Sequence, residues 1–254
     1  MARMIHASAM MFLLAACARS EQAPAPGSSD GTPGAVPRAG GLSSRLPADA
    51  PILLFLGTSL TAGLGVDPDS AYPAVVQRRL DSLGLGWRVV NAGLSGETSA
   101  GARRRLDWLL QGPIRVLVIE TGANDGLRGQ GVDSTRANLE AIIARARVYD
   151  STMTIVLAGM EVPPNLGPRY ASAFRALFRD LARSEHLPLI PFLLEGVGGV
   201  DSLNQADGIH PTPAGHRIVA ENVWRVVGPL MAVQHRTSLN LRRIRRMGGG
   251  LWGL

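Results

Sequence analysis

The stretch Ile52-Leu53-Leu54-Phe55-Leu56-Gly57-Thr58-Ser59-Leu60-Thr61-Ala62-Gly63 decides the fold. Residues 52–56 are apolar without a break, and a glycine stops the run. A half-exposed strand alternates apolar and polar residues, whereas a strand covered on both faces is apolar throughout. Residues 52–56 therefore read as a buried strand, and the Gly-Thr-Ser turn as its exit. Similar short runs recur at 87–90, 116–120, 154–158 and 187–191.

Between these runs lie stretches with helical character at 71–83, 98–110, 134–149 and 169–184, and a last one at 212–230. In the second, Ala102, Leu106, Leu109 and Leu110 recur at helical spacing. Strand and helix alternating this regularly imply a parallel sheet flanked by helices. Right-handed crossovers leave few topologies. The simplest is an α/β three-layer sandwich with a five-stranded parallel, flavodoxin-like sheet. Such sheets bind ligands at the carboxyl ends of their strands, so catalytic residues should fall just behind strand runs.

Ser59 stands directly beyond the first strand, with Gly57 and Gly63 on either side, a setting that suits a nucleophile on a tight strand-to-helix turn. Taken alone, the segment reads better as an ordinary turn, since Gly, Ser and Thr are common there. The Gly-x-Ser-x-Gly elbow would need glycine where Thr61 stands, which disfavours an α/β-hydrolase. Behind the second strand, Asn91-Ala92-Gly93-Leu94-Ser95-Gly96-Glu97-Thr98 offers an unobstructed backbone N–H at Gly93 and a helix cap at Thr98. The third strand ends in Thr121-Gly122-Ala123-Asn124-Asp125, where Asn124 brings two amide donors. Both segments also suit plain turns. Late in the chain, Asp207-Gly208-Ile209-His210-Pro211 places a carboxylate and an imidazole three residues apart. Asp207 can then hold Nδ1 of His210 and leave Nε2 for a hydroxyl, the orienter, base and nucleophile logic of a triad.

Those four segments, in that order, resemble the marker blocks of the SGNH (GDSL-type) hydrolases, which carry Ser, Gly, Asn and His in separate blocks. The segments 122–129 and 207–211, and Pro163-Pro164-Asn165 with Arg169-Tyr170, are most similar to the bacterial thioesterase, lysophospholipase and arylesterase branch. The resemblance covers residues 52–230. It implies a serine esterase acting on carboxylic esters or thioesters through an acyl-serine. Ser59, Asp207 and His210 would form the triad. The Ser59 and Gly93 N–H groups and the Asn124 amide would form the oxyanion hole. No cofactor is implied. The family's first block usually reads Gly-Asp-Ser, and Thr58 stands here in place of the aspartate. Threonine keeps a hydroxyl and loses the charge, so the turn is expected to be held less firmly. Two other readings stay open: a catalytically weak, membrane-tethered lipid-binding protein, and a carbohydrate O-deacetylase.

Composition narrows the partners. The 254 residues carry a formal charge of +6, and all 26 basic residues are arginine. Residues 51–232 hold 17 Arg and 17 acidic residues, while 233–254 hold five Arg and no acid, so the basicity belongs to the tail. A nucleic-acid partner is not expected, and a monomer is. The single cysteine excludes an internal disulfide. His6, His186, His216 and His235 have no zinc-ligand spacing, so no metal site is expected.

Arg3, the apolar run 7–16 and Cys17 read as a secretory signal, too short to span a bilayer. Leu14-Ala15-Ala16-Cys17 further resembles a lipobox, which would lipidate Cys17; an ordinary signal peptide containing a cysteine is the alternative. The expected organisation is a signal over 1–17, a flexible linker over 18–50, a hydrolase domain over 51–232 and a disordered basic tail over 233–254. The protein would be exported to the cell envelope or periplasm and anchored at the membrane through Cys17.

Overall fold

The computed structural model describes residues 46–248. The signal with Cys17, the linker up to residue 45 and residues 249–254 lie outside the described residues.

Five parallel strands form one sheet in the order β2-β1-β3-β4-β5. They are β1 (Ile52–Gly57), β2 (Arg88–Gly93), β3 (Ile114–Ile119), β4 (Thr154–Ala158) and β5 (Leu189–Ile190). The uninterrupted apolar pattern of the first run has the expected cause, since every residue of β1 is buried. Leu56 pairs with Ala92 on one side and with Ile119 on the other, which makes β1 an interior strand. β2 lies at the sheet's edge and is half-buried, which suits its mixed sequence.

The long helices are α2 (Tyr72–Ser82), α3 (Ser99–Leu109), α5 (Val132–Tyr149), α6 (Pro168–Ser184) and α7 (Pro213–Gly248). Helix α5 packs against both α3 and α6, and α2 packs against α7. The inward residues of α6, Phe174, Leu177, Phe178 and Leu181, follow helical spacing and join the sheet in one core. Two short helices, α1 (Ser59–Ala62) and α4 (Ala123–Leu127), stand at the ends of β1 and β3. They are too short to show an apolar period, so no sequence pattern announces them.

Helix α7 corrects one expectation. It continues through Pro229 to Gly248, over residues expected to end the helix at 230 and to be unstructured beyond 233. The stretch 230–247 contains no glycine or proline and is rich in Arg, Leu and Met, which are good helix formers. Among the described residues no helix is long and apolar enough to cross a membrane.

His216, in the first turns of α7, is buried and stacks on Tyr72 at a centroid distance of 6.3 Å. Its Nδ1 accepts the Tyr72 N–H at 3.3 Å, so Nε2 carries the proton, with no partner among the described residues. Burial, helped by the charge of His210, pushes its pKa down to about 4. The unfolded chain therefore takes up this proton near pH 6.5 and the folded protein near pH 4. The stability that follows is complete above about pH 6.5 and is lost as pH falls towards 4. Melting temperature should drop across that window in the wild type and drop less in His216→Gln. Equal slopes in the two proteins would contradict this role.

Candidate active site

The strand order reverses at β1: the first crossover leads to β2 on one side, and the next leads to β3 on the other. In open parallel sheets the ligand crevice lies at the carboxyl ends of the strands that flank such a switch point, here β1 and β3. Ser59 and Asn124 stand there, each in the short helix behind its strand. The turn that carries Ser59 closes on Gly63, whose φ of 74° permits the left-handed cap that ends α1.

His210 reaches this crevice from the loop before α7. Its Nε2 lies 2.9 Å from Ser59 Oγ, and its Nδ1 lies 2.6 Å from Asp207 Oδ2. The second oxygen of Asp207 accepts the N–H groups of Ile209 at 2.9 Å and His210 at 3.0 Å. Hydrogen bonds from the His210 backbone and ring and from Ile209 hold the Asp207 carboxyl down at about 2. It stays ionised at neutral pH and keeps the Nδ1–H tautomer, which leaves Nε2 to accept the serine proton.

Gln205 is a residue that sequence reasoning missed. Its Nε2 donates to Leu64 O at 2.7 Å and to Pro211 O at 3.0 Å, and its N–H donates to His210 O at 2.7 Å. Leu64 N–H in turn donates to Ser59 O. The histidine loop is thereby tied to the turn that carries Ser59, through a contact across 141 residues of sequence, a distance at which no local pattern exists.

Asn124 lies where expected. One amide hydrogen is spent on Glu97 O at 3.0 Å, and the second remains available. Next to it, buried Asp125 accepts from Ser99 N–H at 2.8 Å and Ser99 Oγ at 2.5 Å, fastening α4 to the start of α3. Arg105 binds both Glu97 oxygens through Nε, and its Nη2 reaches Gly57 O and Ala92 O. The loop before α3 is thus pinned to the ends of β1 and β2.

Gly93 does not offer the free N–H expected of it. That group donates to Asn91 Oδ1 at 2.9 Å, and Asn91 is itself held by its Nδ2 on Thr61 O at 2.8 Å. An asparagine bonding the backbone two residues on is ordinary turn chemistry, and it consumes the donor. Gly93 serves close packing instead: a Cβ there would lie 2.2 Å from Ala62 N. In the same segment Gly96 has φ 76°, and its N–H makes no hydrogen bond among the described residues. It lies beside Glu97, whose carbonyl holds Asn124.

The turn is also braced more strongly than Thr58 suggested. Glu120, directly behind β3, accepts from Thr58 N–H at 2.8 Å and Thr58 Oγ1 at 3.0 Å. The carboxyl group absent at position 58 is supplied by Glu120, at the end of the neighbouring strand, with burial pushing its pKa up and the threonine hydrogen bonds opposing that rise. Among the described residues, no group of three or more His, Cys, Asp or Glu side chains is arranged to hold a metal ion.

The model of the GDSL-like lipase/acylhydrolase family matches residues 55–218. Esterase TesA of Pseudomonas aeruginosa is 44% identical over 185 residues, covering 72% of this chain and 91% of that protein. Thioesterase 1/protease 1/lysophospholipase L1 of Escherichia coli K12 is 35% identical over 185 residues, covering 72% and 86%. The crystal structure of esterase EstA from Pseudoalteromonas sp., inhibited by monoethylphosphonate, superposes with a TM-score of 0.67 at 31% identity, covering 72% of this chain and all of that one.

Proposed function

The chain belongs to the GDSL-like lipase/acylhydrolase family, as a serine hydrolase acting on ester bonds, and we propose that its catalytic groups are Ser59, His210 and Asp207. The observation that carries this reading is the continuous contact from Asp207 through His210 to Ser59 Oγ. His210 takes the hydroxyl proton as Ser59 Oγ attacks the acyl carbon, and Asp207 stabilises the imidazolium. His210 then returns the proton to the departing alkoxide or thiolate. A water molecule, deprotonated by the same nitrogen, cleaves the acyl-serine and restores the enzyme.

The negative oxygen of each tetrahedral intermediate needs preorganised donors. The Ser59 N–H and the unspent Asn124 amide hydrogen supply two. With the Gly93 N–H engaged by Asn91, we assign the third to the Gly96 N–H.

Carboxylic esters and thioesters with an apolar acyl group are the proposed substrates, as in the thioesterase, arylesterase and lysophospholipase branch. Leu64, Leu94, Leu127 and Ile209 are exposed, and each lies close in sequence to a residue of the crevice. Leu94 N–H, for example, donates to Gly57 O at the end of β1. Each methylene buried on such a rim contributes about 0.8 kcal/mol. Turnover of p-nitrophenyl esters should therefore rise from acetyl to medium-length acyl chains, with acyl thioesters and lysophospholipids also cleaved. A preference for acetyl esters alone would favour a carbohydrate O-deacetylase instead. Export, lipidation at Cys17 and a monomeric state complete the proposal; the first two are supported by the apolar run 7–16 and the residues around Cys17.

A further inference from the structure

Glu120 is fully buried, and no mechanistic step above uses it. Among the described residues its side-chain oxygens accept only from Thr58 and Thr61. Burying a carboxyl group that forms no ion pair among the described residues is costly, and an apolar side chain would fill the same space without that cost. What the carboxylate does uniquely is collect donors. Thr58 donates its N–H to Oε2 and its hydroxyl to Oε1, so one residue is gripped by both oxygens. Thr61 Oγ1 donates to Oε2 at 2.7 Å and receives the Tyr72 hydroxyl at 2.6 Å. Thr58 and Thr61 bracket Ser59.

Glu120 is itself fixed, because its N–H donates to Leu56 O at 2.8 Å. The carboxylate sits close beneath the turn: a Cβ on Gly57 would lie 2.6 Å from Oε2 and 2.0 Å from Thr61 Oγ1. Glycine at position 57 is what lets the group approach. We propose that Glu120 is the positioning residue of the nucleophile, holding the 58–61 turn so that Ser59 Oγ stays in line with His210 Nε2. This rests on the reading of Ser59 as the nucleophile. Misalignment of about 1 Å from a residue that never touches substrate can cost about 10²-fold in rate.

Glu120→Gln keeps the side-chain length but turns one acceptor into a donor facing the threonine hydroxyls. On a p-nitrophenyl ester its kcat should fall about 10- to 100-fold, with KM changed by no more than about twofold. The rate of Ser59 phosphonylation by a fluorophosphonate should fall in parallel. Thr58→Val should lower kcat by a smaller factor, Thr58→Ser should restore it, and the Thr58→Val loss should shrink in the Glu120→Gln background. A Glu120→Gln protein that melts earlier yet keeps wild-type kcat would show a merely structural role and overturn the proposal. So would full additivity of the two losses. If Glu120→Gln does not fold, the threonine pair decides: loss in Thr58→Val with rescue in Thr58→Ser supports it, and unchanged kcat in Thr58→Val overturns it. Wild-type protein without Ser59-dependent turnover would instead sink the active-site reading, and this proposal with it.

Discussion

Ser59→Ala is expected to lower hydrolysis of p-nitrophenyl esters by at least about four orders of magnitude, with the fold intact. In the proposed mechanism the hydroxyl supplies the atom that becomes acylated, and no other serine or threonine oxygen is hydrogen-bonded to the His210 ring among the described residues. Its removal takes away one contact, the 2.9 Å bond to His210 Nε2, and leaves the 58–61 turn held by Glu120. Melting temperature should therefore stay near that of the wild type. Residual rate should reflect only what the oxyanion donors achieve with water as nucleophile. Turnover within about tenfold of wild type would mean that another group carries the acyl transfer.

Asn124→Ala has the next largest effect. Removing one oxyanion donor costs about 10²–10³ in kcat, because the bond strengthens as charge develops on the substrate oxygen. KM should change little, since the ground-state carbonyl gains much less from that donor. The neighbouring anchor is independent, because Asp125 rather than Asn124 binds Ser99. The variant should keep α4 in place. A loss confined to KM would make Asn124 a substrate-binding residue and leave the intermediate to the backbone donors alone.

The parts of this architecture that are legible in sequence are those set by local rules. β1 announces itself because both its faces are buried, and the Asp207–His210 pair because three residues of one turn bring carboxylate and ring together. The parts that stay hidden depend on contacts between distant residues. Glu120 meets Thr58 across 62 positions, so Thr58 in sequence resembles a loss where the structure has a replacement. Two glycines three residues apart, Gly93 and Gly96, offer the same chemistry on paper. Only the Asn91 side chain, two residues before Gly93, distinguishes them, and that short-range contact was a signal open to sequence reading. Helix α7 differs in kind, because its charged last turns look like a solvated tail while the backbone propensity of the same residues favours a helix.

Ser59, aligned with His210, is the proposed acyl-accepting nucleophile. Treating the protein with a fluorophosphonate and locating the adduct by peptide mass tests it most directly. One phosphonyl group on Ser59, formed in the wild type and absent from Ser59→Ala, is the result expected. A wild-type protein that takes up no adduct, or an adduct that persists in Ser59→Ala, would contradict it.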